Sequence, residues 1–374
     1  MKIKRIVAVP ISPPPREYYG RPHQTALGEF LNVDYGFVKI ETDEGHFGVG
    51  EICTVFQPGG RTLCQQIDDH LAPVLLGEDP HRINYLVAAM DLALSDAEPA
   101  KAAIDMALFD IVGKSLKTPV YNLLGGMVRE RVPLSHAITY GSSDEMAGFA
   151  TQLTQEGFTT IKVKVGQGLE KDVDAVRAIR QAIGPSVKLR VDANMSWSTA
   201  KEAIFMIRQL EKYDIEIVEQ PVPRHAIDAM AEVREMTDQP IMADESVWTP
   251  MDAIKCIKRK AVDVVSVYVA ESGGLLKAAR TFSICEAAGI PCLIGCMPGT
   301  GIDTAAQIHL GVAMNNLKFD SDSCGVRYFS EDCLVQPLKI EDGYAYPPEG
   351  VGLGIEVDES VLSRWEIAAQ NNAE

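Results

Sequence analysis

From Val132 onward the chain alternates short apolar runs with longer helical ones, and this alternation constrains the fold more than any other feature. Strands are expected at Pro133–Ile138, Thr160–Val165, Val187–Asp192, Ile215–Glu219, Ile241–Ala243, Val262–Val269, Cys292–Cys296 and Asn316–Asp320. Between them, the periodicity predicts helices over Ser143–Glu156, Asp172–Ala182, Ser198–Leu210, Ala226–Met236, Pro250–Lys258, Gly274–Ala288 and Gly301–Ala313. Strands that alternate with helices of this length demand a parallel sheet covered on both faces. Eight of them without a reversal signal favour a closed barrel over an open doubly wound sheet, so the chain reads as α/β.

Charged residues end several of these strands. Lys162 and Lys164 close one, Asp192 the next, then Glu219, and Asp244 follows Ala243. A packed barrel interior is apolar, so such groups are tolerable at the open carboxyl-end mouth, where barrel active sites lie. Asp192, Glu219 and Asp244 are three hard oxygen donors, and no histidine or cysteine joins them. That set selects Mg²⁺, or Mn²⁺, over zinc. The plainer reading makes each a turn or cap residue, Asp192 through Asp-Ala-Asn and Asp244 ahead of Ser246. Three at matched strand ends favour the metal.

Side chains two apart on a strand share a face, so Lys162 and Lys164 project together. A lysine beside a second cation has a lowered pKa, which is what a neutral base requires. Asn194 is expected in the metal's outer shell. Glu245, next to Asp244, either orients a lysine or a metal-bound water or makes a salt bridge at the rim.

Before the alternation, residues 1–130 read as an α+β unit. Short strands are expected at Ile3–Val9, Asp34–Glu41 and His46–Glu51, with a turn at Asp43-Glu44-Gly45, followed by helical periodicity from about 60 to 125. The loop Pro13–His23 carries both aromatics and cations. The barrel is expected over 131–330. Residues 331–374 are expected to return to the first domain, through a hairpin of Pro337–Ile340 and Ile355–Val357 with a turn at Asp342-Gly343. The Gly350-x-Gly352-x-Gly354 spacing is no nucleotide loop, because no βαβ unit follows it.

The 374 residues carry a net charge of −17, which argues against a nucleic-acid surface. It does not argue against a carboxylate substrate, because a divalent cation and two lysines reverse the sign locally. No apolar run approaches the ~20 residues of a membrane span, and the eight scattered cysteines read as reduced thiols of a cytoplasmic enzyme.

Lys162-Val163-Lys164, Val191-Asp192-Ala193-Asn194, Val218-Glu219-Gln220-Pro221, Met242-Ala243-Asp244-Glu245-Ser246 and Ser272-Gly273-Gly274 together resemble the enolase superfamily. Within it they are most similar to the muconate-lactonizing subgroup. The resemblance covers essentially the whole chain. It implies a modified TIM barrel, (β/α)7β, under an α+β capping domain, and Mg²⁺ held by Asp192, Glu219 and Asp244. It also implies that Lys164 takes a proton α to a small substrate's carboxylate, that Lys162 helps stabilise the enediolate, and that the protein is a homo-oligomer.

One position departs from that subgroup. Where its members usually carry a second lysine at the end of the sixth strand, this chain has Tyr268. Tyrosine is a poor base but an adequate acid or hydrogen-bond donor. One-base chemistry is therefore expected, as cycloisomerisation or β-elimination, with Tyr268 an acid or a pocket wall. Epimerisation of an amino-acid derivative and a non-catalytic metal-binding descendant are the alternatives. By the same resemblance, Tyr18, Tyr19, Arg21 and His23 lie in a loop that covers the substrate, with Arg21 pairing a distal carboxylate. Cys296 is expected at the barrel mouth. Asp320 and Asp322 either meet a substrate ammonium or cap their loop.

Overall fold

The computed structural model describes residues 1–30, 34–55 and 59–367; the end of the expected 331–374 segment, 368–374, lies outside these. Seven parallel strands, Ser135–Ile138, Thr160–Lys164, Lys188–Asp192, Ile215–Glu219, Ile241–Ala243, Val264–Val267 and Cys292–Ile294, pair in chain order. An eighth segment closes the ring, because Leu317 bridges Cys292 and Ser321 bridges Leu134, both in parallel. Seven helices separate the eight, which gives the expected (β/α)7β barrel. Their starts follow local chemistry: Ser142 and Thr249 each form a capping box with the acid three residues on.

The N-terminal sheet is an antiparallel meander of Ile3–Ile11, Tyr35–Thr42 and Phe47–Ile52. Across it lies the helix Glu98–Ser115, which is buried throughout Ala100–Gly113 because it fills the gap between two cores. Ala103, Ala107 and Ile111 face the capping domain's core, whereas Ala102, Met106 and Phe109 join the larger cluster that extends through the barrel. The contact with the sheet is close, and a Cβ on Gly50 would stand 1.9 Å from the carbonyl oxygen of Ala103. A small hairpin, His23–Thr25 with Gly28–Phe30, leaves this domain toward the barrel mouth.

Two expectations are corrected. The Asp342-Gly343 turn joins Ile340–Glu341 to Tyr344–Ala345, not to Ile355–Val357, and Tyr344–Ala345 pairs with Val132–Pro133 at the foot of the barrel. Both turn residues have positive φ, 51° and 71°, a geometry that sends the chain straight back. The returning segment meets the N-terminal domain farther on, where Gly352 accepts the Val120 amide at 2.9 Å and Glu366 bridges Ile11. Nor is the barrel interior purely apolar. Arg190, 1% exposed, donates to Glu216 at 2.7 Å and to the Asp320 carbonyl at 2.7 Å, so a paired charge lies beneath the mouth.

Candidate active site

Strand register assembles the site. Lys164 pairs with Asp192, and Asp192 with Glu219, so three charged side chains stand abreast on adjacent strands. Asp244 joins them from the turn after the fifth strand. That turn is shaped by Gln220, whose side-chain oxygen accepts the amides of Asp244 at 3.0 Å and Ser246 at 3.1 Å. Gln220 is buried with a φ of 37°, and the sequence reading gave it no part. Its signal was its place between a strand-end carboxylate and Pro221.

Each of Asp192, Glu219 and Asp244 offers an oxygen within 4.8 Å of the others, and all three side chains are buried. Glu219 Oε2 and Asp244 Oδ1 find no hydrogen-bond partner among the described residues. Burial pushes the Glu219 carboxyl well above its ordinary range, and the charge of Asp192 pushes it further. Asp244 is raised for the same two reasons. Crowded and buried, with two of their oxygens unpartnered, three hard oxygen donors fit Mg²⁺, whose charge offsets their repulsion.

Lys162 Nζ lies 3.0 Å from Glu219, 3.7 Å from Asp192 and in contact with Asp322. Lys164 Nζ lies 2.6 Å from Asp192. Burial works against both ammonium groups, but the carboxylates outweigh it and hold both above the ordinary lysine range. Each lysine faces acids more closely than it faces its neighbour, so the lowering expected from two adjacent cations would require a bound Mg²⁺ to offset the charge of those acids.

Asn194 and Glu245 are joined, Nδ2 to Oε1 at 3.0 Å, and the Asn194 amide also caps Asp192 at 2.9 Å. Glu245 is 2% exposed and makes no rim salt bridge among the described residues. Tyr268 is 4% exposed, and burial, then the charge of nearby Asp244, raises its phenol well above the ordinary value.

A cavity of about 190 Å³ opens onto this centre. Lys162, Lys164, Asn194, Glu219, Asp244, Glu245, Tyr268, Cys296, Asp322 and His23 all line it. Tyr18, Tyr19, Arg21 and Asp320 do not. Arg21 is bound to Glu145 at 2.5 Å, and Tyr18 packs on His23 and Tyr328. Asp320 lies a layer below the mouth, accepting from Thr160 at 2.5 Å, whereas Asp322 reaches Lys162 and Ser135. Met297, Pro298 and Tyr328 line the cavity without having been expected to, since apolar and aromatic types carry no chemical signal in a sequence.

Two family models match the chain: the mandelate racemase/muconate lactonizing enzyme N-terminal domain over residues 7–125, and the enolase C-terminal domain-like model over residues 145–361. The chain is 38% identical over 297 residues to a hydrophobic dipeptide epimerase of Enterococcus faecalis, covering 78% of this chain and 83% of the relative. It is 32% identical over 356 residues to muconate cycloisomerase 1 of Rhodococcus opacus, covering 92% and 94%. Among solved structures, an N-succinyl Arg/Lys racemase from Bacillus cereus superposes with a TM-score of 0.93 at 31% identity, over 98% of this chain and 99% of that one.

Proposed function

Because the chain belongs to the mandelate racemase/muconate lactonizing enzyme family of the enolase superfamily, and is thus a magnesium-dependent isomerase or lyase, we propose that it works from one face. In this reading Lys164 removes a proton α to the carboxylate of a small substrate, and cycloisomerisation or β-elimination follows. Asp192, Glu219 and Asp244 hold the Mg²⁺. When bound, the ion supplies positive charge against the enediolate that forms as the proton leaves. Lys162 adds a second, fixed charge to the same side of the site. Asp192 orients Lys164, while Asn194 and Glu245 brace the turns that carry the acids.

The observation that carries the one-face reading is Tyr268 itself, which stands buried in the cavity wall where a second lysine would be needed, its phenol held well above the ordinary value by burial and by the charge of Asp244. A phenol held protonated there is a hydrogen-bond donor, and it is not a base that takes the α-proton from the opposite face, as epimerisation in both directions requires. Asp322, tied to Lys162, completes the charge balance beneath the substrate.

An epimerase is the second reading, favoured by the 38% identity to a dipeptide epimerase. Deuterium exchange separates the two. Mg²⁺-loaded protein is incubated in D2O with dipeptides, proline analogues, muconates and acid sugars, and the α-hydrogen and configuration are followed by NMR. Exchange with retention, or conversion to product without a diastereomer, supports the one-face reading; inversion at the α-carbon supports the epimerase. Exchange that survives Lys164→Ala would remove Lys164 as the base in either case.

A further inference from the structure

Gly295 follows directly on the seventh barrel strand, Cys292–Ile294, which pairs with the sixth strand just before Tyr268. Its φ lies outside the left-handed region, so the backbone itself makes no demand for glycine. Space makes the demand. A Cβ at this position would stand 2.6 Å from Tyr268 Cζ, 2.8 Å from Tyr268 Cε2 and 2.3 Å from Ser266 Oγ. The phenol ring thus lies in the volume that any side chain at 295 would take, and Cζ is the carbon that carries the hydroxyl. The backbone cannot give way. The Gly295 amide donates to the Val267 carbonyl at 3.0 Å, and the Ile294 carbonyl accepts the Asp322 amide at 2.9 Å, so this strand end is tied to both neighbours. The Ser266 hydroxyl turns aside by a change of rotamer. The ring has room on one side only, because Tyr268 lines the cavity. A side chain at 295 would therefore drive the phenol into the cavity.

We propose that Gly295 is a positioning residue for the reaction: by leaving its Cβ volume to the Tyr268 ring, it fixes the phenol hydroxyl in the cavity wall and keeps the ring out of the space the substrate takes. The consequence for the rate rests on the reading of Lys164 as the α-proton base and of Tyr268 as a hydrogen-bond donor; the placing of the ring does not. Gly295 acts through Tyr268 alone. Every effect of a methyl group at 295 must then pass through the ring and disappear when the ring is removed, a dependence that a double-mutant cycle reads directly. A general loss of packing at the strand end would persist without the ring.

The test has two arms, both on Mg²⁺-loaded full-length protein. In the first, tyrosine is labelled with ¹³C at Cζ, and the Tyr268 resonance is identified by its loss in Tyr268→Phe. Gly295→Ala should move that resonance and leave the other tyrosines in place. In the second arm, Lys164-dependent loss of the α-hydrogen is followed in D2O with saturating dipeptides, proline analogues, muconates and acid sugars. Gly295→Ala should slow it by about tenfold or more, the value of one well-placed hydrogen bond, as should Tyr268→Phe. Added to Tyr268→Leu, which removes the ring, Gly295→Ala should slow it no further. If Gly295→Ala does not fold, adding Tyr268→Leu should restore folding, and a double variant that also fails to fold overturns the contact. An unmoved resonance in the folded variant, undiminished exchange, or an equal loss in the Tyr268→Leu background overturns the role of Gly295 and leaves the one-face reading intact. No Lys164-dependent exchange with any carboxylate overturns the one-face reading and, with it, the effect of Gly295 on the rate.

Discussion

Lys164 and Asp192 sit opposite one another on neighbouring parallel strands, with Nζ 2.6 Å from Oδ2. A single carboxylate thus faces the metal centre and fixes the lysine beside it, which ties the placing of the base to the placing of the cation. The same economy recurs at Asn194, which braces Asp192 through its amide and Glu245 through its side chain.

Asn194→Ala should therefore weaken Mg²⁺ binding without removing a metal ligand. Loss of an outer-shell partner typically costs about 10- to 100-fold in affinity. Titration calorimetry of the metal-stripped variant reads the effect, and an unchanged affinity would show that the Asp192 turn holds itself.

Mg²⁺ should also stabilise the fold, because it relieves the repulsion among three buried carboxylates. At a free concentration of about 100 times Kd, a ligand that binds only the native state contributes ~2.7 kcal/mol. Thermal unfolding with chelator and with added Mg²⁺ should show a corresponding rise in Tm. Asp244→Asn should lose most of that rise; a variant that keeps it in full would argue that the cation sits elsewhere.

Stability should carry a pH signature from Asp105, in the long helix between the two cores. The residue is buried, Oδ1 accepts the Leu276 amide at 3.4 Å and Oδ2 has no partner among the described residues. Burial pushes its carboxyl up to about 7. An acid whose folded pKa exceeds its unfolded value, near 3.9, binds its proton more tightly when folded. Its contribution is thus complete below the unfolded pKa and is lost as pH rises through about 7. Asp105→Asn removes that slope, so the variant should gain on the parent in urea midpoint between about pH 5 and about pH 8. A constant difference across that window would contradict the assignment.

Gly50→Ala tests the join between sheet and helix. The new Cβ would meet the backbone of Ala103, which cannot rotate aside as a side chain can. Overpacking of this kind costs about 1–3 kcal/mol, and here the backbone contact places the expectation at the upper end. Chemical denaturation measures it, and a loss under about 0.5 kcal/mol would mean that the helix shifts freely.

The barrel strands and helices were legible in the sequence because a buried parallel sheet writes itself as apolar runs of fixed length separated by helical periods. Asp192, Glu219, Asp244, Lys162 and Lys164 were legible for a related reason: charge at the end of an apolar strand has few places to go. Fine placement was not. Gln220 was invisible because its work lies in two amides it accepts from the neighbouring strand's turn. Asp320 and Asp322 are two apart on one segment, yet one pairs with Thr160 below the mouth and the other with Lys162 inside the cavity, a difference of depth that spacing alone does not encode. Arg21 and His23 share one loop, but Glu145 claims the first and the wedge of Tyr18 and Tyr328 turns the second inward. The sequence by itself determined the architecture and the inventory of charges, since both follow from local periodicity and the cost of burying ions. Only the tertiary structure decided which of those charges meet, because partners brought together across the barrel are set by register and packing between segments far apart in the chain.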